Sequence, residues 1–134
     1  MRLPGSVIVG YGGYFLLADW TLHELSLTEN VLQIIEDAAQ HQKFSRVKIV
    51  WLEIGLLACV RQESLRFYFD VITQDTIAHQ AQLKVIEVAG LGWCEQCTCE
   101  VPLTTRYDPC TRCGQYGLKI IRGEEMRVKE LEVT

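Results

Sequence analysis

The 134-residue chain lacks an excess of basic residues, since 13 Lys and Arg stand against 17 Asp and Glu and the formal net charge is -4. A chain of this charge has no overall positive field to draw it onto a phosphate backbone, so nucleic acid is not the default partner. Its six cysteines are too few for a secreted scaffold built from disulfides. With 49% hydrophobic and 22% charged residues, the composition is that of one globular domain, or one domain with a small appendage.

The chain also lacks an apolar run of transmembrane length. The run at residues 7–18 has about 12 residues, whereas a membrane-spanning helix needs about 20. It belongs to an apolar, glycine-rich segment over residues 1–21, which is only faintly similar to a secretory signal because glycine and proline interrupt it. The interrupting residues are Pro4, Gly5, Gly10, Gly12 and Gly13. We therefore expect neither a transmembrane segment nor export.

Motifs of the common enzyme classes are missing as well. The sequence contains no glycine-rich phosphate loop, no G-x-S-x-G turn, no H-E-x-x-H helix and no paired-carboxylate motif. Of its three histidines, His41 and His79 stand in polar segments that are typical of solvated surface. We therefore expect no enzymatic activity.

From residue 22 onward the sequence has the patterns of a folded domain. Ser26 and Glu29 have the S-x-x-E spacing of a capping box, and an apolar stripe with helical spacing follows. The stripe consists of Leu27, Val31, Ile34, Ile35 and Ala38. These features predict an amphipathic helix that ends near Gln42. Thr21 and Glu24 form a rival capping box, so the sequence allows two helix starts about one turn apart.

Three segments predict strands. Residues 46–55 are apolar on both alternating phases, which favours a strand covered on both faces. Residues 83–88 and 126–133 predict two further strands. Within the last segment the apolar positions change phase, from Met126 and Val128 to Leu131 and Val133. This change indicates a β-bulge, or a strand whose two ends face different neighbours.

A second helix is predicted over residues 63–74. Its buried face carries Leu65, Tyr68, Phe69 and Ile72, with Phe67 and Val71 at the side. The order helix, strand, helix, strand and a late third strand predicts an α/β (α+β) fold. In this fold two helices pack on a small three-stranded mixed sheet.

Four cysteines have the spacing of a zinc site. Cys94-x-x-Cys97 is followed after twelve residues by Cys110-x-x-Cys113, and two such turns aim four sulfurs at one ion. Gly114 supplies the positive φ that such a turn uses. Four thiolates leave no open coordination position, so the ion should be structural. The alternative is a pair of disulfides or metal-free thiols.

The other two cysteines receive no metal role. Cys99 could compete with Cys97 for the ion, but we expect it to be a spare thiol on the strand that leaves the first turn. Cys59 has no ligand partner nearby in sequence, and we expect a small buried side chain there.

Several blocks of this sequence carry a resemblance to a known family. They are LHELSL at residues 22–27, VWLEIG at 50–55, ESLRFYFD at 63–70, the spaced Cys-x-x-Cys pairs and the closing MRVKELEV. In this order they resemble the hydrogenase nickel-incorporation metallochaperone family (HypA/HybF). The resemblance runs from residue 22 to the end of the chain.

The resemblance implies a nickel site at the start of the domain. Members of the family begin Met-His-Glu and hold Ni(II) at the mature amino terminus with the imidazole, the backbone nitrogen and neighbouring groups. The matching residues here are His23 and Glu24, and Leu22 stands in place of Met. Since the bacterial start codon UUG otherwise encodes Leu, we expect residues 1–21 to reflect a misplaced start. With 21 residues ahead of Leu22, the terminal amine beside His23 is lost, and nickel should bind weakly.

We therefore expect a metallochaperone in three parts. Residues 1–21 are the extension, residues 22–91 are the nickel-binding domain completed by a strand at 122–134, and residues 92–121 are an inserted zinc-ribbon lobe. The resemblance implies cytoplasmic delivery of nickel to the large subunit of a [NiFe]-hydrogenase, together with the family's partner GTPase. The sequence does not decide whether the chain forms a homodimer or which nickel enzyme it serves.

The main alternative is a zinc-ribbon module that binds nucleic acid or acts in transcription. Such a ribbon should be basic and interleaved with aromatic residues. Three basic side chains in residues 92–121 stand against three acidic ones, which disfavours this reading. They are Arg106, Arg112 and Lys119 against Glu95, Glu100 and Asp108.

Overall fold

A computed structural model describes residues 24–134 and the backbone of two short strands that precede them. The strands and helices follow one another in the order β1 (Ser6–Ile8), β2 (Tyr14–Leu16), α1 (Glu24–Gln42), β3 (Val47–Gly55), a 3-10 turn (Leu56–Ala58), α2 (Gln62–Ile72), β4 (Gln82–Val88), β5 (Gly90–Cys94), β6 (Cys99–Leu103), β7 (Lys119–Arg122) and β8 (Glu125–Val133). Among the described residues, neither helix combines the length and the apolar character that a membrane span requires.

Helix α1 buries four of the five residues of the predicted stripe, and the fifth, Ile34, is half-buried. Leu27, Val31, Ile35 and Ala38 are buried, together with Thr28, whose hydroxyl donates to the Leu25 carbonyl at 2.7 Å. The helix includes Glu24 and Leu25, so Ser26 is an interior position and the prediction that it caps the helix is wrong. The rival cap at Thr21 lies outside the described residues.

The main sheet has β3 at its centre. Strand β4 pairs with β3 in parallel, and β8 pairs with its other side antiparallel, which confirms the mixed sheet. Strands β1 and β2 both pair antiparallel with the far side of β8, so the sheet has five strands and not the predicted three. These two strands come from residues 1–21. They pair with β8 because its outer edge offers backbone N–H and C=O groups.

One face of β3 is buried and the other is only partly covered. Val50, Leu52 and Ile54 point into the core, whereas Ile49 and Trp51 on the opposite face are half-buried. The Lys84 ammonium lies 4.8 Å from the centre of the Trp51 ring. The prediction of a strand fully covered on both faces therefore holds for one face only.

Two bulges let both long strands keep their apolar residues on the core side. Pairing passes from Trp51 with Glu130 to Leu52 with Val128, so Lys129 is the extra residue in β8. This shift confirms the predicted bulge, and the apolar positions on both sides of it are buried. They are Met126, Val128, Leu131 and Val133. A second register shift, at Lys48 in β3, likewise allows both Val47 and Val50 to be buried in the core.

Helix α2 closes the core with α1. Leu65 and Phe69 are buried, and Tyr68 and Ile72 are half-buried. Phe67 and Val71 are 63% and 47% exposed, since they lie on the side of α2 that faces away from the core. Arg66 on the same helix donates to the Leu83 carbonyl and so ties α2 to β4.

Strands β5, β6 and β7 form a separate antiparallel sheet in the order β6-β5-β7. It joins the main sheet where β4 ends and β8 begins. A Cβ on Gly55 would lie 2.0 Å from the carbonyl oxygen of Gly123, which itself has a φ of +104°. The Leu57 N–H donates to that same carbonyl at 2.8 Å. The junction therefore needs glycine, because the backbones of the two lobes touch there.

Candidate metal sites

The four predicted cysteines converge at one end of the small sheet. Cys94 ends β5 and Cys97 lies in the turn before β6, while Cys110 and Cys113 lie in a second turn before β7. Their sulfurs all lie within 4.8 Å of one another. Cys94 and Cys113 are 3.6 Å apart, and Cys97 and Cys110 are 3.9 Å apart. Sulfurs in a tetrahedron about 2.3 Å from a central ion stand about 3.8 Å from each other, so the spacing suits a tetrahedral thiolate site.

Backbone groups shape the second turn and favour a thiolate there. The Arg112 N–H donates to the Cys110 sulfur at 3.4 Å, and the Gly114 N–H donates to the Cys110 carbonyl at 2.9 Å. The backbone N–H groups of Cys113 and then Arg112 lower the pKa of the Cys110 thiol to about 6. Gly114 has a φ of +78°, as predicted, and Thr98 has a φ of +49° after the first turn.

The cluster has the donor set of a closed zinc site. Hydrogen bonding to the Cys113 sulfur, with burial as a lesser cause, raises the pKa of Cys97 to about 12. A cation placed among the sulfurs would favour their thiolate form. Soft sulfur ligands in a tetrahedron select zinc-type ions, and four of them leave no position for a substrate or water. Cys94 and Cys110 are also buried.

Asp108 organises the loop that carries the second cysteine pair. Its carboxylate accepts hydrogen bonds from the backbone N–H and the hydroxyl of both Thr104 and Thr105, at 2.6 to 3.1 Å. These bonds, the Thr105 hydroxyl first, hold the pKa of Asp108 well below its usual range. Arg106 in the same loop pairs with Glu124, just before β8. These contacts fix residues 104–108, at the start of the loop, and do not involve the cysteines.

The two remaining cysteines lie outside the cluster. Cys99 begins β6 opposite Cys94 and has the Arg112 guanidinium 3.8 Å from its sulfur, so it is a spare thiol as predicted. Cys59 is exposed, and the prediction of a buried side chain is wrong. It follows the 3-10 turn with a φ of +56°, and this turn directs it to solvent.

At the other predicted site, Glu24 is described and His23 lies outside the described residues. Glu24 is half-buried at the first described position of α1. One of its carboxylate oxygens accepts a hydrogen bond of 3.1 Å from the Arg61 N–H, at the start of α2. The four cysteines are the only cluster of three or more metal-binding side chains in residues 24–134. His41 and His79 are exposed, as predicted.

Sequence patterns did not reveal the loop residues that support the cysteine cluster. The loop contains residue types that are common in turns, namely Thr104, Thr105 and Asp108. This composition is the only sign in the sequence that they stabilise the loop. The pairing of Arg106 with Glu124 joins residues 18 positions apart, and no local pattern predicts such a contact.

Comparisons with known proteins place residues 22–133 in one family model, described as hydrogenase/urease nickel incorporation, metallochaperone, hypA. The hydrogenase maturation factor HypA of Azotobacter chroococcum is 48% identical over 112 residues, which is 84% of this chain and 99% of that protein. That of Rhodopseudomonas palustris is 49% identical with the same coverage. The solution structure of the Ni metallochaperone HypA from Helicobacter pylori matches with a TM-score of 0.64 at 20% identity, over 84% of this chain and 97% of that chain. This last similarity concerns the fold alone.

Proposed function

Because the chain belongs to the HypA family of hydrogenase/urease nickel-incorporation metallochaperones, we propose that it binds Ni(II) through His23 and Glu24 and delivers it to a [NiFe]-hydrogenase. The observation that carries this proposal is the family match, which begins at residue 22 and so includes the His-Glu pair at its start. The Cys94, Cys97, Cys110 and Cys113 cluster holds structural Zn(II) in this proposal. The protein is a carrier and not a catalyst.

The ligand chemistry assigns the two metals to different places. Four thiolates hold zinc tightly, whereas a few nitrogen and oxygen donors can release nickel to an acceptor. In a chain that begins with Met at position 22, the terminal amine, the next amide nitrogen and the His23 imidazole supply the tetragonal nitrogen set that Ni(II) favours. We propose that this shorter chain, cytoplasmic and acting with the family's GTPase, is the functional form.

Glu24 can serve both the fold and the cargo. One of its oxygens accepts the Arg61 N–H and so connects the starts of α1 and α2. An ionised carboxylate has about four acceptor sites, so the hydrogen bond leaves capacity for a metal. This contact would hold the nickel residues close to the body of the domain.

Delivery is tested in a strain that lacks this gene and grows in low-nickel medium. The chain beginning with Met at position 22 should restore nickel to the hydrogenase, and the His23→Ala variant should not, because the imidazole is the principal side-chain ligand. His41→Ala is the matched control, since it removes an exposed histidine from the far end of α1. Nickel content is measured in the purified hydrogenase by mass spectrometry. An unchanged nickel content in the strain without the gene would contradict the proposal.

A further inference from the structure

The ribbon carries a fifth thiol beside the four proposed zinc ligands. Cys99 begins β6 and packs against the buried group formed by Cys94, Val101 and Cys110. Its side chain is half-buried, whereas Cys94 is fully buried. All six cysteines lie within residues 24–134, and none of them forms a disulfide in the structure. A small solute therefore reaches Cys99 more easily than it reaches Cys94.

Cys94 and Cys99 lie directly opposite each other in neighbouring strands. They are the last Cα partners of the β5–β6 pair, so their side chains lie on the same face of the sheet. Directly opposed residues of an antiparallel pair have Cα atoms about 4.5 or 5.5 Å apart. A disulfide requires about 4.4–6.8 Å between its two Cα atoms. The two sulfurs can therefore be joined without a shift of either strand.

Arg112 holds the Cys99 sulfur next to the metal-binding sulfurs. Its guanidinium donates to the Cys99 sulfur at 3.8 Å, and its backbone N–H donates to the Cys110 sulfur at 3.4 Å. One residue of the second cysteine turn thus contacts both the fifth thiol and a proposed zinc ligand. This contact and the strand pairing are independent observations, and both place Cys99 beside the cluster.

We propose that Cys99 is an oxidation site for peroxides, and that its oxidation removes Cys94 from the zinc by forming a disulfide between the two. First, the Cys99 sulfur attacks one oxygen of hydrogen peroxide, the O–O bond breaks, and a sulfenic acid and one water form. The Cys94 thiolate then leaves the zinc and attacks the Cys99 sulfur. The S–S bond forms, the S–O bond breaks, and the departing hydroxide takes up a proton to become water. The two cysteines together lose two electrons, and the peroxide is reduced to two molecules of water.

The disulfide leaves only three thiolates for the zinc. The closed four-thiolate site becomes incomplete, so the ion is released and the ribbon sheet loses its support. The change is reversible, because a dithiol reduces the bond by exchange. The inference rests on the zinc assignment in the proposed function and uses none of the nickel ligands. Neither His23 nor Glu24 has a sulfur to oxidise, so peroxide acts on the ribbon and not on the proposed nickel residues.

Zinc release measures this reaction in the 134-residue chain. All samples carry Cys59→Ser, which removes the exposed thiol that could join two chains. Zinc-loaded protein is treated with hydrogen peroxide, and the freed zinc is followed with a coloured chelator. The Cys99→Ser variant should hold one zinc per chain before oxidation. It should release that zinc at least about fivefold more slowly than the parent, because peroxide must then react with sulfurs that are already bonded to the metal. Excess dithiothreitol and zinc should restore the metal content of the oxidised parent.

Peptide mass spectrometry identifies the bond that forms. Cleavage after Glu95 separates Cys94 from Cys99, and fragmentation of the linked peptides distinguishes Cys99 from Cys97. A disulfide between Cys94 and Cys99 should accumulate in step with the release of zinc. Equal release rates in the two chains, or a bond between two of the four cluster cysteines in its place, would overturn the inference. Protein that holds no zinc before peroxide is added would instead overturn the zinc assignment in the proposed function.

Discussion

Replacing Cys110 with Ser should release the zinc and unfold the three-stranded ribbon sheet, while the core around β3 stays folded. Cys110 is buried in a cluster whose sulfurs lie within 4.8 Å of one another, and the ribbon's buried side chains are few beyond the cysteines. Structural zinc sites of this kind contribute an apparent binding free energy of about 10–16 kcal/mol at pH 7. The loss of one of four ligands therefore removes most of what holds the ribbon together.

Zinc per chain and hydrogen exchange measure this outcome. Zinc content should fall from one per chain to nearly none, and amides in β5, β6 and β7 should lose protection while those in β3 keep it. Cys99→Ser is the matched control, because it changes a sulfur in the same ribbon that lies outside the cluster. Equal zinc content in the two variants would contradict the assignment of the ligands.

Phe69→Ala should be the most costly single change among the helix residues. Phe69 is 1% exposed in the core between α2 and the main sheet, so removing its ring leaves a cavity. Such a substitution lowers the free energy of unfolding by about 3–5 kcal/mol. Urea unfolding of the zinc-loaded chain measures the change.

Phe67→Ala is the control for Phe69, since it removes the same ring from the same helix. Phe67 is 63% exposed and contacts Tyr68 edge-on, with ring centres 5.5 Å apart. Its loss should cost about 1 kcal/mol or less. Equal losses at the two positions would mean that α2 is rotated relative to the core described above.

Periodic patterns in the sequence predicted most of the domain. The stripe in α1 and the phase change in β8 each follow from which side chains a core must bury, and the structure confirms both. The Cys-x-x-Cys spacing predicted the cluster because the chemistry of one ion fixes the geometry of its ligands. In each case a physical requirement repeats along the sequence and leaves a readable pattern.

Features that depend on a single contact left no such pattern. Strands β1 and β2 have three residues each and exist by pairing with the edge of β8, which no periodicity in residues 1–21 announces. The exposure of Cys59 depends on a single left-handed position after the 3-10 turn. Helix α1 includes Glu24, two positions before Ser26, and Glu24 contacts Arg61 across 37 positions.

Titration calorimetry with nickel tests the proposal that the chain has a releasable nickel site separate from its zinc site. The titration uses the zinc-loaded chain that begins with Met at position 22, its His23→Ala variant and the 134-residue chain. The first should bind one nickel per molecule. Binding in the other two should be at least about 100-fold weaker, since even changes beyond the direct ligands cost 10–100-fold in metal affinity. Zinc should stay at one per chain throughout. Equal nickel affinity in all three, or nickel uptake only with loss of zinc, would contradict the proposal of two separate sites.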